Sequence, residues 1–306
     1  MAPAICLDTP TAACYAVRKR READKRMKHV LFTGATGGLG QVCVKALAET
    51  GRWRVYAAGT NREKLQSLGS LPNVIPLAMD ITDEESVLAG QRTVARETPA
   101  LDAVVNFAGA SAFSSLVEGE AAALAGKLLE INVLGMIHVN RVFFEMVKAG
   151  GGRIVNCSSE AGWMTAQPFA GAYCLSKRAV EAYNDSLRRE LMFLKIPVIK
   201  IQPGSFQTAL TKGILLDFED ALLRTRYYAG VLQKLKPLMT QELSHKNDPR
   251  KLAAVVLRAM EAKHPRLRYR VGTGKLLLLL EIFPEKAVDL LYQTLVALIP
   301  DRKRRY

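Results

Sequence analysis

Tyr173 and Lys177 stand four residues apart in the run Tyr173-Cys174-Leu175-Ser176-Lys177, a spacing that puts both on one face of a helix. A phenol with its ordinary pKa near 10 is a poor acid or base at neutral pH. An ammonium held beside it stabilises the phenolate, lowers that pKa and makes the group fit for proton transfer to or from a reacting oxygen. A hydroxyl that could steady such an oxygen lies upstream, where Ile154-Val155 runs into Asn156-Cys157-Ser158-Ser159. A second motif lies near the start, Thr33-Gly34-Ala35-Thr36-Gly37-Gly38-Leu39-Gly40. Its glycines let the backbone turn tightly and approach a ligand, and a helix opening there turns its positive end toward phosphate. Gln41 stands where a Walker A loop needs Lys-Ser/Thr, so that reading fails. The spacing fits both T-G-x-x-x-G-x-G and, through Gly34, Gly37 and Gly40, G-x-x-G-x-x-G.

These residues need a scaffold, and the hydropathy pattern supplies one. Short apolar runs at 30–32, 55–58, 74–78, 103–105, 154–155 and 198–201 alternate with helical patterns at 39–49, 62–68, 83–97, 120–149 and 173–195. Unalternating apolar strands separated by crossover helices mark a parallel sheet covered on both faces, so a doubly wound α/β (Rossmann) fold is expected. Ligands bind outside the carboxyl ends of such strands, where both motifs fall. After Pro203 the alternation stops. Residues 205–247 carry no clear period, a helix is expected near 248–262 and a short strand at 269–271. Val288, Leu291, Tyr292, Leu295, Leu298 and Ile299 form an apolar stripe at helical spacing, fit to pack on the body, on a second subunit or on a membrane surface. The expected division is a disordered leader over 1–27, with a start at Met27 or a transit peptide as alternatives, one catalytic domain over 28–272 and a C-terminal helical extension with a basic tail over 273–306.

Composition narrows the class. The 306 residues are 49% hydrophobic and 24% charged, enough apolar surface for a core and against disorder. No segment is expected to cross a membrane. Cys6, Cys14, Cys43, Cys157 and Cys174 form no C-x-x-C pair, which points to a reduced, intracellular, cytoplasmic setting. His29, His138, His245 and His264 lack ligand spacing, so no metal site is expected. Of the net charge of +14, half sits in the ends: residues 1–28 hold seven Lys or Arg against three acidic residues, and residues 301–306 four against one. The runs Arg18-Lys19-Arg20-Arg21 and Arg302-Lys303-Arg304-Arg305 could touch anionic lipid, but without interleaved aromatics no nucleic-acid partner is expected.

At the end of the second strand a carboxylate would bond the adenosine 2′-hydroxyl of NAD and repel the extra phosphate of NADP. Ala58-Gly59-Thr60-Asn61-Arg62 has none. Thr60 leaves room for a 2′-phosphate and Arg62 could pair with it, so NADP(H) is favoured and NAD(H) is the alternative; equally, Arg62 could merely begin the next helix.

Taken together, the motifs resemble the short-chain dehydrogenase/reductase family over about residues 28–210. The matching segments are Thr33 to Gly40; Asp80-Ile81, which in the family contacts adenine; Asn106-Phe107-Ala108-Gly109, where the family usually has N-N-A-G; Asn132; Ser159, chosen over Ser158 because Ser159-Glu160-Ala161-Gly162 matches S-x-A-G; Tyr173 and Lys177; and Pro203-Gly204-Ser205-Phe206-Gln207-Thr208, matching P-G-x-x-x-T. The resemblance implies a dinucleotide held by Thr33, Gly34, Thr36, Gly38, Leu39, Gly40, Asn106, Ala108, Gly109, Pro203, Gly204 and Thr208, with Tyr173 and Lys177 on the nicotinamide side. It implies that Ser159 and Tyr173 bind the substrate oxygen, Tyr173 moves the proton, Lys177 lowers the tyrosine pKa, and Asn132 holds a relay water. A homo-oligomer, dimer or tetramer, is also implied. Arg188-Arg189-Glu190-Leu191 and Pro265-Arg266-Leu267-Arg268-Tyr269 look like the retinol and hydroxysteroid dehydrogenase branch. In the family the pocket is walled by the segments after Ser159 and Pro203, here with Trp163, Met164, Phe169, Leu210 and Ile214, and with Phe113 from the loop after the fourth strand. That apolar wall selects a small lipophilic alcohol or carbonyl. Two other readings stay open: a dinucleotide-binding regulator with weak catalysis, and an extended-branch epimerase or dehydratase.

Overall fold

The computed structural model describes residues 26–206, 209–243 and 247–299. Its centre is a seven-stranded sheet of β1 (Lys28–Thr33), β2 (Trp53–Gly59), β3 (Val74–Ala78), β4 (Ala103–Asn106), β5 (Arg153–Cys157), β6 (Val198–Pro203) and β7 (Arg268–Val271). All neighbours run parallel, in the order β3-β2-β1-β4-β5-β6-β7. The central strands carry unalternating apolar runs, such as Val30-Leu31-Phe32 and Val104-Val105, because both faces are covered. In β1, Val30 and Phe32 point into one core and Leu31 into the other, as the two-residue strand period requires. The first core is closed by α1 (Gly38–Glu49) and α9 (Pro249–Glu261) through Cys43, Val44, Leu47, Leu252 and Val256. The second is closed by α3 (Glu84–Glu97) and α4 (Ala121–Val142), through Val87, Val94 and Val139. Side-chain caps start α2 (Arg62–Gly69), where Asn61 accepts from the Lys64 amide, and α3, where Asp83 accepts from Glu85. The strand order reverses at β1, which lies between β2 and β4. A crevice opens there at the carboxyl ends.

Two expectations are corrected. The 120–149 segment is not one helix: α4 carries a π-helical turn at Glu130–Leu134 and stops at Phe143, before α5 (Phe144–Ala149). The patternless 205–247 segment contains α7 (Ala209–Arg224) and α8 (Ala229–Leu243), the latter with Pro237 inside it. They contribute Phe218 and Leu232 to a small cluster with Phe113, so only a few positions needed to be apolar. Helix α4 is long and apolar enough to cross a bilayer by length and composition, although Asn132, Met136, Val139 and Asn140 are buried in the body. In the extension, α10 (Lys275–Leu280) precedes α11 (Glu285–Leu298). Val288 is buried, whereas Leu291 and Leu298 of the same stripe are exposed. The basic runs at 18–21 and 302–305 lie outside the described residues.

Candidate active site

The turn from β1 into α1 packs backbone against backbone. Gly34 has φ +68°, and a Cβ there would lie 2.4 Å from the Ala108 nitrogen; one at Gly40 would lie 2.1 Å from the Gly34 oxygen. The side-chain oxygen of Thr33 accepts from the amides of Phe107, at 3.3 Å, and Ala108, at 3.4 Å, which closes the turn onto the end of β4. Phe107, the departure from the family pattern, stacks on Phe32 with ring centres 5.2 Å apart.

Asn106 faces away from this cleft. Its side chain is 2% exposed and donates to Asn140 at 2.7 Å and Asn156 at 2.9 Å; Asn156 donates on to Asn184, and Asn140 to Tyr183. These bonds lock β4, β5, α4 and α6 (Gly171–Leu191) together, a positional role for the Asn106 side chain.

The side chains expected to be catalytic meet where β5, α4 and α6 converge. Asn132, fully buried in the π-helical turn, accepts from the Ala110 amide at 2.8 Å and donates to the Ala110 carbonyl and the Ser176 hydroxyl, both at 2.9 Å. Both amide hydrogens are engaged, so its side chain pins the loop after β4. Lys177 is 5% exposed; its ammonium donates to the Cys157 carbonyl at 3.2 Å and lies 5.9 Å from the centre of the Tyr173 ring. Of the two serines, Ser159 is hydrogen-bonded to Tyr173, while the buried Ser158 hydroxyl has no hydrogen-bond partner among the described residues.

Burial dominates the electrostatics. It pushes the Tyr173 phenol well above its ordinary value, partly opposed by the Ser159 hydrogen bond. The protein alone therefore keeps Tyr173 protonated, and the expected lowering is one that Lys177 would bring about together with a positively charged nicotinamide. Burial also pushes the Lys177 ammonium down, with Cys157 and Glu181 pulling it back up. The Cys157 thiol is pushed up to about 11, again by burial.

One cleft of about 290 Å³ joins the two motifs, running from Gly34, Gly38, Leu39 and Gly40 past Gly109 to Ser159, Tyr173 and Lys177, with Pro203 and Gly204 on its rim. Its walls suit a dinucleotide because they are bare backbone at the glycines: a Cβ on Gly109 would lie 3.0 Å from the Asn132 side-chain oxygen and 3.6 Å from the Lys177 ammonium. Phe113, Met164 and Ile214 line the same cleft, and so do Gln167, Pro168 and Met239, which the sequence pattern did not single out. Trp163 does not: its ring lies under the Arg270 guanidinium at 3.5 Å. Phe169 faces a neighbouring cavity and packs between Phe113, at a tilt, and Tyr228, edge-on. Leu210 and Thr208 lie outside what is described, in side chain and altogether.

Thr60, Arg62 and Asp80 are exposed at the carboxyl ends of β2 and β3, outside the cleft. Thr36 lines no part of it either; its side chain packs where a Cβ on Gly59 would fall. Asp80 accepts from the Thr82 amide and hydroxyl, and buried Ile81 packs against Gly135 of α4. Arg62 opens α2 with no ion pair or hydrogen bond to another described residue. The C-terminal extension also reaches the site: Glu281 accepts from the amide of Thr165, and Glu160 from that of Gly274.

Known proteins share this construction. The family model described as short chain dehydrogenase matches residues 28–217. Retinol dehydrogenase 16 of Mus musculus is 33% identical over 292 residues, which covers 87% of this chain and 88% of that protein. A short chain dehydrogenase/reductase from Burkholderia phymatum, in complex with NAD, has a TM-score of 0.70 at 21% identity over 88% of this chain and 96% of that one. An alcohol dehydrogenase from the archaeon Thermococcus sibiricus, complexed with 5-hydroxy-NADP, has a TM-score of 0.64 at 20% identity over 80% of this chain and 96% of that one. The chain belongs to the short chain dehydrogenase family, in its retinol dehydrogenase branch, and is an oxidoreductase dependent on a nicotinamide dinucleotide.

Proposed function

We propose that the protein interconverts a lipophilic secondary alcohol and its carbonyl, with NADP(H) as its cofactor. The observation that supports this best is the continuity of the cleft, whose glycine turn, Ser159–Tyr173–Lys177 group and apolar wall of Phe113, Met164, Ile214 and Met239 share one space. The dinucleotide supplies or removes a hydride when bound. The residues around it do the rest. Backbone at Gly34, Gly38 and Gly40 receives the pyrophosphate at the start of α1, where amides and helix dipole favour negative charge. Ser159 and Tyr173 hold the substrate oxygen between two hydroxyls, and Tyr173, kept protonated by burial, donates its proton as that oxygen becomes an alkoxide. Lys177 supports the resulting phenolate with its charge. Asn132 holds the Ala110 loop that forms the facing wall.

The NADP(H) preference rests on Arg62. A cation in the first turn of a helix opposes the dipole by about 0.3–1 kcal/mol, and no acid among the described residues, Glu63 of the same turn included, forms an ion pair with it. A 2′-phosphate would. Arg62→Ala is expected to weaken NADPH by about 1–3 kcal/mol and NADH by much less, measured as dissociation constants by nicotinamide fluorescence. Equal weakening of both, or tighter NADH binding by the parent, contradicts the preference.

A further inference from the structure

Tyr173, Lys177 and Glu181 follow at four-residue intervals on α6 and share one face. The Glu181 carboxylate is only 14% exposed; it meets the Lys200 ammonium at 2.7 Å and accepts from the Gln202 amide at 2.8 Å. Lys200, 6% exposed, also pairs with Asp185 at 2.9 Å. Gln202 accepts from the Arg270 guanidinium at 3.3 Å, and Arg270 lies over Trp163. This network ties α6 to β6, β7 and the turn after Ser159. Gly162, at the end of that turn, presses on α6 between Lys177 and Glu181: a Cβ there would lie 2.8 Å from the Lys177 carbonyl oxygen and 3.0 Å from Cγ of Glu181.

The reaction as described leaves these groups unused. Burying charge costs several kcal/mol per ion, and apolar residues of similar volume often pack as well or better, so stability alone is a weak reason for the arrangement. We propose that Glu181 is a positioning residue for the proton-transfer site, holding the Lys177 turn of α6 against β6 and the Ser159 turn and placing a negative charge one helical turn from the ammonium. This rests on the proposed function. The titratable and charged groups around the pair are Tyr173 and Asp185 on α6, Cys157 on β5, Lys200 on β6, Arg270 on β7 and Glu160 in the turn after Ser159. Burial lowers the ammonium's pKa, and Glu181 opposes that loss. Removing the carboxylate's charge therefore lets Lys177 deprotonate at lower pH.

Glu181→Gln keeps the shape and removes the charge. Lysine side-chain NMR of the cofactor-free protein, with the Lys177 signal assigned by Lys177→Arg, is expected to show Lys177 titrating about half a unit or more lower in Glu181→Gln. The alkaline limb of kcat against pH should move down with it, and Glu181→Asp should restore both. Asp185→Asn, which removes another partner of Lys200 but lies two turns from Lys177, is expected to leave the titration in place. Should Glu181→Gln fail to fold, Lys200→Gln serves instead, moving Lys177 upward because it removes the cation that neutralises Glu181. An unmoved Lys177 signal in the folded variant, or an equal shift in Asp185→Asn, overturns the proposal. Absence of turnover in the parent counts against the proposed function alone, since the NMR titration needs no activity.

Discussion

Tyr173→Phe is expected to lower turnover by about 10²–10⁴-fold, the range for loss of a general acid or base, while NADPH binding stays close to that of the parent. The substitution removes one hydroxyl. The ring keeps its place near Lys177, whose ammonium remains on the Cys157 carbonyl, and the glycine turn that receives the pyrophosphate is untouched. What is lost is the proton donor and the partner of Ser159. Single-turnover reduction with saturating NADPH, set beside a dissociation constant for NADPH, separates the two quantities. A rate within about tenfold of the parent contradicts the assignment of Tyr173.

Gly34→Ala should have the opposite signature, weakening the dinucleotide by about tenfold or more, equivalent to about 1.4 kcal/mol, and lowering Tm. Two costs add. A left-handed backbone costs a residue with a Cβ about 1–2 kcal/mol, and at Gly34 that Cβ would fall 2.4 Å from the Ala108 nitrogen and 2.5 Å from the Phe107 carbonyl carbon. Neither atom belongs to a rotatable side chain, so β1 and β4 must part at the mouth of the cleft. Gly119→Ala is the control: Gly119 has φ +63° but nothing within 4 Å of the added Cβ. It bears the conformational cost alone and should bind NADPH like the parent. Equal loss in both variants, measured by titration and thermal melting, contradicts the role of close backbone approach at Gly34.

Much of this arrangement is legible in the linear sequence because parallel strands and i, i+4 pairs leave local patterns. Val30-Leu31-Phe32, Val104-Val105 and Ile154-Val155 announce buried strands, and Tyr173 and Lys177 need only a helix to be brought together. Long-range decisions leave less trace. Asn106 lies within the Asn106-Phe107-Ala108-Gly109 motif, yet its partners Asn140 and Asn156, and Asn184 beyond them, are spread over three elements, so nothing local marks it as buried scaffolding. Trp163 reads as an apolar wall until Arg270, more than a hundred residues on, covers its ring. Met239 reaches the cleft from a helix that the mixed polarity of 205–247 conceals. The burial that raises the Tyr173 phenol leaves no trace in the i, i+4 spacing either.

The central claim is that this cleft passes a hydride between a nicotinamide dinucleotide and a lipophilic substrate, with Tyr173 moving the proton. The most direct measurement uses NADPH carrying deuterium at the transferable position of its nicotinamide ring, incubated with a panel of lipophilic ketones and analysed by mass spectrometry and NMR of the alcohol formed. Deuterium is expected on the carbinol carbon, with loss of that product in Tyr173→Phe. Alcohol without deuterium at that carbon, or no reduction of any lipophilic ketone while polyhydroxylated sugars are reduced, would contradict it.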